Sequence, residues 1–72
     1  MILYTRDSCG PCRTVKYMLD KLGVDYEVKN IDIEDNLSEL VTKYGATTTP
    51  VFVKGGNVVI GANLSRIKQL VS

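Results

Sequence analysis

Cys9 and Cys12 are the only cysteines in the 72-residue chain, and Gly10-Pro11 separates them. Side chains three apart on a helix are neighbours, with Cβ atoms about 5–6 Å apart. A disulfide needs Cβ atoms at about 3.5–4.5 Å, so a small local adjustment lets this pair exist as dithiol or disulfide. A zinc site needs four ligands, and the chain offers two cysteines and no histidine, leaving only an intermolecular Cys₄ site as a metal reading. The spacing points to thiol–disulfide exchange: a thiolate attacks a disulfide sulfur, and a second thiol resolves the mixed disulfide.

The flanking residues indicate how the pair is held. Met1–Thr5 reads as a short buried strand. Pro11–Leu22 reads as a helix, because Val15, Met18, Leu19 and Leu22 recur at i, i+3, i+4 and i+7, and Gly23 stops it. The pair therefore lies at a strand-to-helix junction. There Cys9 meets the positive end of the helix dipole and free backbone N–H groups. Such sites lower a cysteine pKa from about 8.5 into roughly the 3.5–7.5 range. Cys12, a turn further in, is expected to be shielded. Cys9 is the expected nucleophile and Cys12 the resolving thiol. Gly10 keeps the approach to Cys9 open, and Pro11 suits a first helical turn and stiffens the loop.

The remainder of the chain supplies the scaffold. Asp25–Ile31 alternates imperfectly and reads as a strand. Asn36–Tyr44 reads as a helix with Leu37, Leu40, Val41 and Tyr44 inward, Asn36 and Glu39 at capping-box spacing, and Gly45 as its stop. Pro50–Lys54 and Asn57–Ile60 form a hairpin around Gly55-Gly56, two residues that tolerate positive φ. Asn63–Val71 closes the chain as a helix with Leu64, Ile67, Leu70 and Val71 inward. The order β-α-β-α-β-β-α implies a right-handed parallel crossover between the first two strands and an antiparallel pair at the end. The expected architecture is α/β, a four-stranded mixed sheet flanked by three helices, in one domain over residues 1–72.

Composition excludes several functions. Nine basic residues against eight acidic ones give a net charge of +1, so no basic stripe is available for nucleic acid. No apolar run suits a signal peptide or a membrane span. A reducing cytoplasmic location and a monomer are expected. Tyr4 and Tyr44 could flank a groove, although their positions suit a core. The acids Glu34, Asp35 and Glu39 suit the positive end of the second helix.

The chain resembles glutaredoxins and glutaredoxin-like thioredoxins of the thioredoxin-fold superfamily over nearly its whole length. Tyr4-Thr5-Arg6-Asp7-Ser8-Cys9-Gly10-Pro11-Cys12 is similar to the glutaredoxin strand-loop-helix opening. Thr48-Thr49-Pro50-Val51-Phe52 is similar to the family's Thr-x-Pro-x-Phe segment, and Gly61 stands where its glycine pair begins. The resemblance implies a thioredoxin fold and a cis Pro50 facing the redox pair. It also implies a substrate groove shaped by Thr49 and Pro50, with Arg6 and Gly61 at its glutathione-binding positions.

The chain departs from the family pattern in two ways. Its dithiol is the Cys-Gly-Pro-Cys of thioredoxins, not the Cys-Pro-Tyr-Cys of most glutaredoxins. Its Gly61-Ala62-Asn63-Leu64-Ser65 lacks the acids of the glutathione-holding Gly-Gly-x-Asp-Asp segment. Small redoxins of this mixed kind accept electrons from thioredoxin reductase and serve ribonucleotide reductase, although the Trp-Ser-Gly-Phe-Arg-Pro tail of that group is absent.

The leading expectation is a cytosolic oxidoreductase for protein disulfides that needs no cofactor beyond its own Cys9/Cys12 pair. The alternatives are a glutathione-dependent glutaredoxin and a non-catalytic docking module on the same fold.

Overall fold

The computed structural model describes all residues 1–72. Seven elements follow in order: β1 (Ile2–Thr5), α1 (Gly10–Lys21), β2 (Glu27–Asn30), α2 (Glu34–Tyr44), β3 (Val51–Lys54), β4 (Asn57–Ile60) and α3 (Leu64–Val71). The strands form one sheet in the order β2-β1-β3-β4. β1 runs parallel to β2, and the β1–β3 and β3–β4 pairs are antiparallel. This is the mixed four-stranded sheet and thioredoxin fold expected from the element order.

Alternation along the two central strands divides the core. Leu3 of β1 and Phe52 of β3 point to one face, where Val15 and Leu19 of α1 and Ile67 of α3 cover them. Tyr4, Val51 and Val53 point to the other face and pack on Leu40 of α2. A one-residue slip of β1 would exchange Leu3 for Tyr4 between these two cores, so both sides fix the register. The outer strands are less covered, and Val28 and Ile60 are 46% and 57% exposed. No helix is long and apolar enough to cross a membrane.

Local chemistry shifts several boundaries from the sequence reading. α1 begins one residue earlier, at Gly10, and ends at Lys21, with Gly23 at φ +69 just beyond. β2 is confined to Glu27–Asn30, because only those residues pair with β1.

α2 begins at Glu34, and no Asn36/Glu39 capping box forms. The carbonyl of Ile33 accepts the N–H groups of Asn36 and Leu37, so the first turn closes earlier, with Glu34 and Asp35 at the positive end of the dipole. Asn36 Nδ2 donates instead to the Asn30 carbonyl at 2.9 Å. Glu39 is engaged elsewhere: its Oε1 accepts Tyr4 Oη–H at 2.5 Å and Lys29 Nζ at 2.6 Å. Tyr4 is fully buried and meets Tyr44 edge-on at 5.9 Å, which makes the pair core and not groove.

The hairpin has the two-residue turn, with Lys54 opposite Asn57. Only Gly55 takes a positive φ, +58, which suits a turn with glycine at its first central position. Asn63 caps α3 by accepting the Arg66 N–H at 3.2 Å.

Candidate active site

β1 delivers the chain to the redox loop, and α1 begins inside it. Cys9 is the N-cap of α1, with an extended backbone (φ −103, ψ 107), and its sulfur accepts the Cys12 N–H at 3.2 Å. A sulfur in the N-cap place takes the role an oxygen fills in most helices. When reduced, that sulfur lies where an N–H group and the helix dipole both favour negative charge. Pro11 occupies the first turn, where its missing N–H is not needed.

Here Cys9 and Cys12 are joined as a disulfide with Cα atoms 5.3 Å apart, inside the ordinary range of about 4.4–6.8 Å. The two sulfurs differ in access. Cys12 is 1% exposed, whereas Cys9 is half-buried and lines a cleft of about 370 Å³. An incoming reactant therefore reaches Cys9 first. The structure contains no cluster of three or more metal-ligating side chains.

The cleft is polar. Arg6, Ser8, Cys9, Gly10 and Pro11 form one wall and Thr47, Thr48 and Thr49 the other. The Thr49–Pro50 peptide bond is cis, and Pro50, next to the cleft-lining Thr49, is buried. The Pro50 carbonyl accepts the Gly61 N–H at 2.8 Å. Gly61, at φ +94, is thereby tied to the base of the threonine wall and does not line the cleft. The backbone groups of Thr49 make no hydrogen bond within the chain, so they can meet an extended polypeptide segment as a strand edge does.

Three features were not evident in sequence. Thr47 extends the wall beyond the Thr48-Thr49 segment. Asn30 and Asp32, in the β2–α2 corner, hold the redox loop: Asn30 Nδ2 donates to Asp7 Oδ1 at 2.5 Å, and the Asp7 N–H donates to Asp32 Oδ2 at 3.2 Å. Thr5 is 2% exposed, and its Oγ1 is buried without a hydrogen-bond partner in the chain. Thr5 shares the β1 face of Leu3, which packs on Val15 and Leu19. Cys12, in the first turn of α1, is buried as well.

The family model for glutaredoxin matches residues 1–59. The chain belongs to the glutaredoxin family. Among its relatives are a glutaredoxin of Ricinus communis, 31% identical across 96% of this chain and 72% of that one, and Thioredoxin-T of Drosophila melanogaster, 31% identical across 97% and 50%. The chain thus spans only half of the Drosophila protein's length. Among solved structures, a glutaredoxin from Archaeoglobus fulgidus superposes with a TM-score of 0.85 at 30% identity, covering 97% and 83% of the two chains. The glutaredoxin-like protein NrdH-redoxin of Escherichia coli, described as having a thioredoxin-like activity profile, superposes at 0.82 with 28% identity over 96% and 91%. Its Cys9–Cys12 pair, at the start of α1, is the feature of this glutaredoxin suited to thiol–disulfide exchange.

Proposed function

We propose that this glutaredoxin reduces disulfides in proteins and is recharged by thioredoxin reductase in the cytoplasm, with a disulfide-bearing enzyme such as ribonucleotide reductase among its substrates. The observation that carries the reading is the pairing of an accessible Cys9 with a shielded Cys12 beside the free backbone of Thr49. A polypeptide laid along Thr47–Thr49 brings its disulfide to Cys9. The Cys9 thiolate attacks one substrate sulfur, a Cys9–substrate bond forms, and the other substrate sulfur leaves as a thiolate. Cys12 then gives its proton to solvent and attacks the Cys9 sulfur, which closes the Cys9–Cys12 disulfide and releases the second substrate thiol. Two electrons pass from the protein to the substrate, and the reductase returns them.

The thioredoxin-type Cys9-Gly10-Pro11-Cys12 loop and the likeness to a redoxin with thioredoxin-like activity support this electron source. One observation favours a second reading, glutathione as reductant: Arg6 is a cation on the cleft wall and could meet a carboxylate. A coupled NADPH assay separates the two. Thioredoxin reductase and glutathione plus its reductase are supplied in separate arms, with insulin as the disulfide. The proposal expects fast NADPH loss in the thioredoxin reductase arm; turnover confined to the glutathione arm would overturn it.

A further inference from the structure

Arg6 is the only charged residue lining the cleft, and Arg13 and Lys16 of α1 do not line it. An acid lies beside it. Arg6 Nε lies 4.0 Å from Asp32 Oδ1, with the two side chains 46% and 49% exposed. Asp32 is held at two points, its carboxylate and its backbone N–H. Its other carboxylate oxygen accepts the Asp7 N–H at 3.2 Å, its own N–H donates to Asn30 Oδ1 at 2.8 Å, and Asn30 is in turn bonded to Asp7 Oδ1. Asn36 Nδ2 fastens the Asn30 carbonyl from α2. The Asp7 N–H thereby orients the Asp32 carboxylate on this wall. The Asp32 carboxylate thus sits beside the Arg6 guanidinium. The positive end of α1 attracts anions to Cys9, and this corner opposes that attraction.

We propose that Asp32 is a specificity-determining residue: by holding Arg6 and setting the charge of the cleft wall, it disfavours small disulfides that carry carboxylates and leaves the cleft to neutral polypeptide segments. The proposal rests on Cys9 being the nucleophile, and it names the class of substrate that nucleophile accepts. The reaction it modulates is the first exchange, in which a Cys9–substrate bond replaces the substrate disulfide and one substrate thiolate leaves.

The test measures that exchange by stopped flow. Pre-reduced wild-type protein and Asp32→Asn react with three small disulfides: anionic glutathione disulfide, neutral bis(2-hydroxyethyl) disulfide and cationic cystamine. Asparagine at 32 keeps an oxygen to accept the Asp7 N–H, so the loop is retained while the charge is removed. Relative to the neutral reagent, Asp32→Asn is expected to raise the anionic rate by about three- to tenfold and lower the cationic rate by a similar factor, as one charge several ångströms away does at a protein surface. Both changes shrink in about 0.5 M salt. Asp32→Glu keeps the wild-type ratios, and Arg6→Gln moves the anionic ratio the opposite way.

Charge ratios unmoved in Asp32→Asn, or all three rates changed by one common factor, would overturn the proposal while leaving the redox assignment intact. A wild-type rate on the neutral disulfide no faster than that of free cysteine would overturn the nucleophile assignment, and the proposal with it.

Discussion

Replacing Thr5 with valine tests how the buried wall beneath the redox pair treats its two states. Valine has nearly the shape of threonine and removes only the hydroxyl. In the disulfide form that hydroxyl is buried without a partner in the chain, a situation that costs about 1–3 kcal/mol. In the dithiol form the Cys12 thiol, also buried, is the expected partner of that hydroxyl, and such a bond contributes about 0.5–1.5 kcal/mol. Thr5→Val therefore relieves a penalty in the oxidised protein and removes a bond from the reduced one. Both effects favour the disulfide, by about 1.5–4.5 kcal/mol together, which moves the reduction potential about 30–100 mV more negative. Equilibration in dithiothreitol redox buffers, with acid trapping of the thiols, gives the potential. Urea unfolding of each form separates the two contributions. A potential within roughly 10 mV of wild type, with both forms stabilised alike, would refute the reasoning, because the hydroxyl would then distinguish neither state.

Three other outcomes follow from the structure. Hydrogen bonding from Lys29, and then from Tyr4, holds the Glu39 carboxyl below its ordinary 4.5. A lowered folded pKa gives stability that is fully present above the ordinary value and is lost as pH falls through the folded one. Urea midpoints should accordingly show wild type more stable than Glu39→Gln at pH 6, with the gap closing in acid; a gap independent of pH would contradict this. Gly61 sits at φ +94, so Gly61→Ala should cost more than about 1 kcal/mol by thermal or urea unfolding, and a neutral effect would remove the conformational argument for this glycine. Gly10 has open space at its Cβ position and an ordinary φ, so Gly10→Ala should stay within about 0.5 kcal/mol of wild type in the same experiment, and a larger loss would show a constraint there that the backbone does not reveal.

The helices were legible because their apolar stripes match what they cover. Val15 and Leu19 pack beneath α1 and Leu40 beneath α2, as their spacing requires. The glycine stops at Gly23 and Gly45 were equally plain, since both take positive φ. The Cys9–Cys12 pair was evident because its chemistry is local in sequence. Interactions between distant segments were hidden. Glu39 fits a helix-start pattern, yet its partner Tyr4 lies 35 positions away. The Asp7–Asn30–Asp32 corner joins two loops whose residues look individually like solvated polar side chains. Thr5 reads as one more strand residue, and its significance depends on which face of β1 it occupies. Thr47 carries no periodic signal and lies outside the Thr48–Phe52 segment, so its place in the cleft emerges only from the fold.

The most direct test of the account is the alkylation rate of each thiol in the fully reduced protein, measured with iodoacetamide from pH 4 to 9 and read by peptide mass. Modification at Cys9 should be faster than free cysteine at pH 6 and should outpace Cys12 throughout, because Cys9 alone is open to the cleft at the start of α1. Equal rates at the two sulfurs, or a Cys9 profile matching free cysteine, would contradict the assignment of Cys9 as the attacking thiolate.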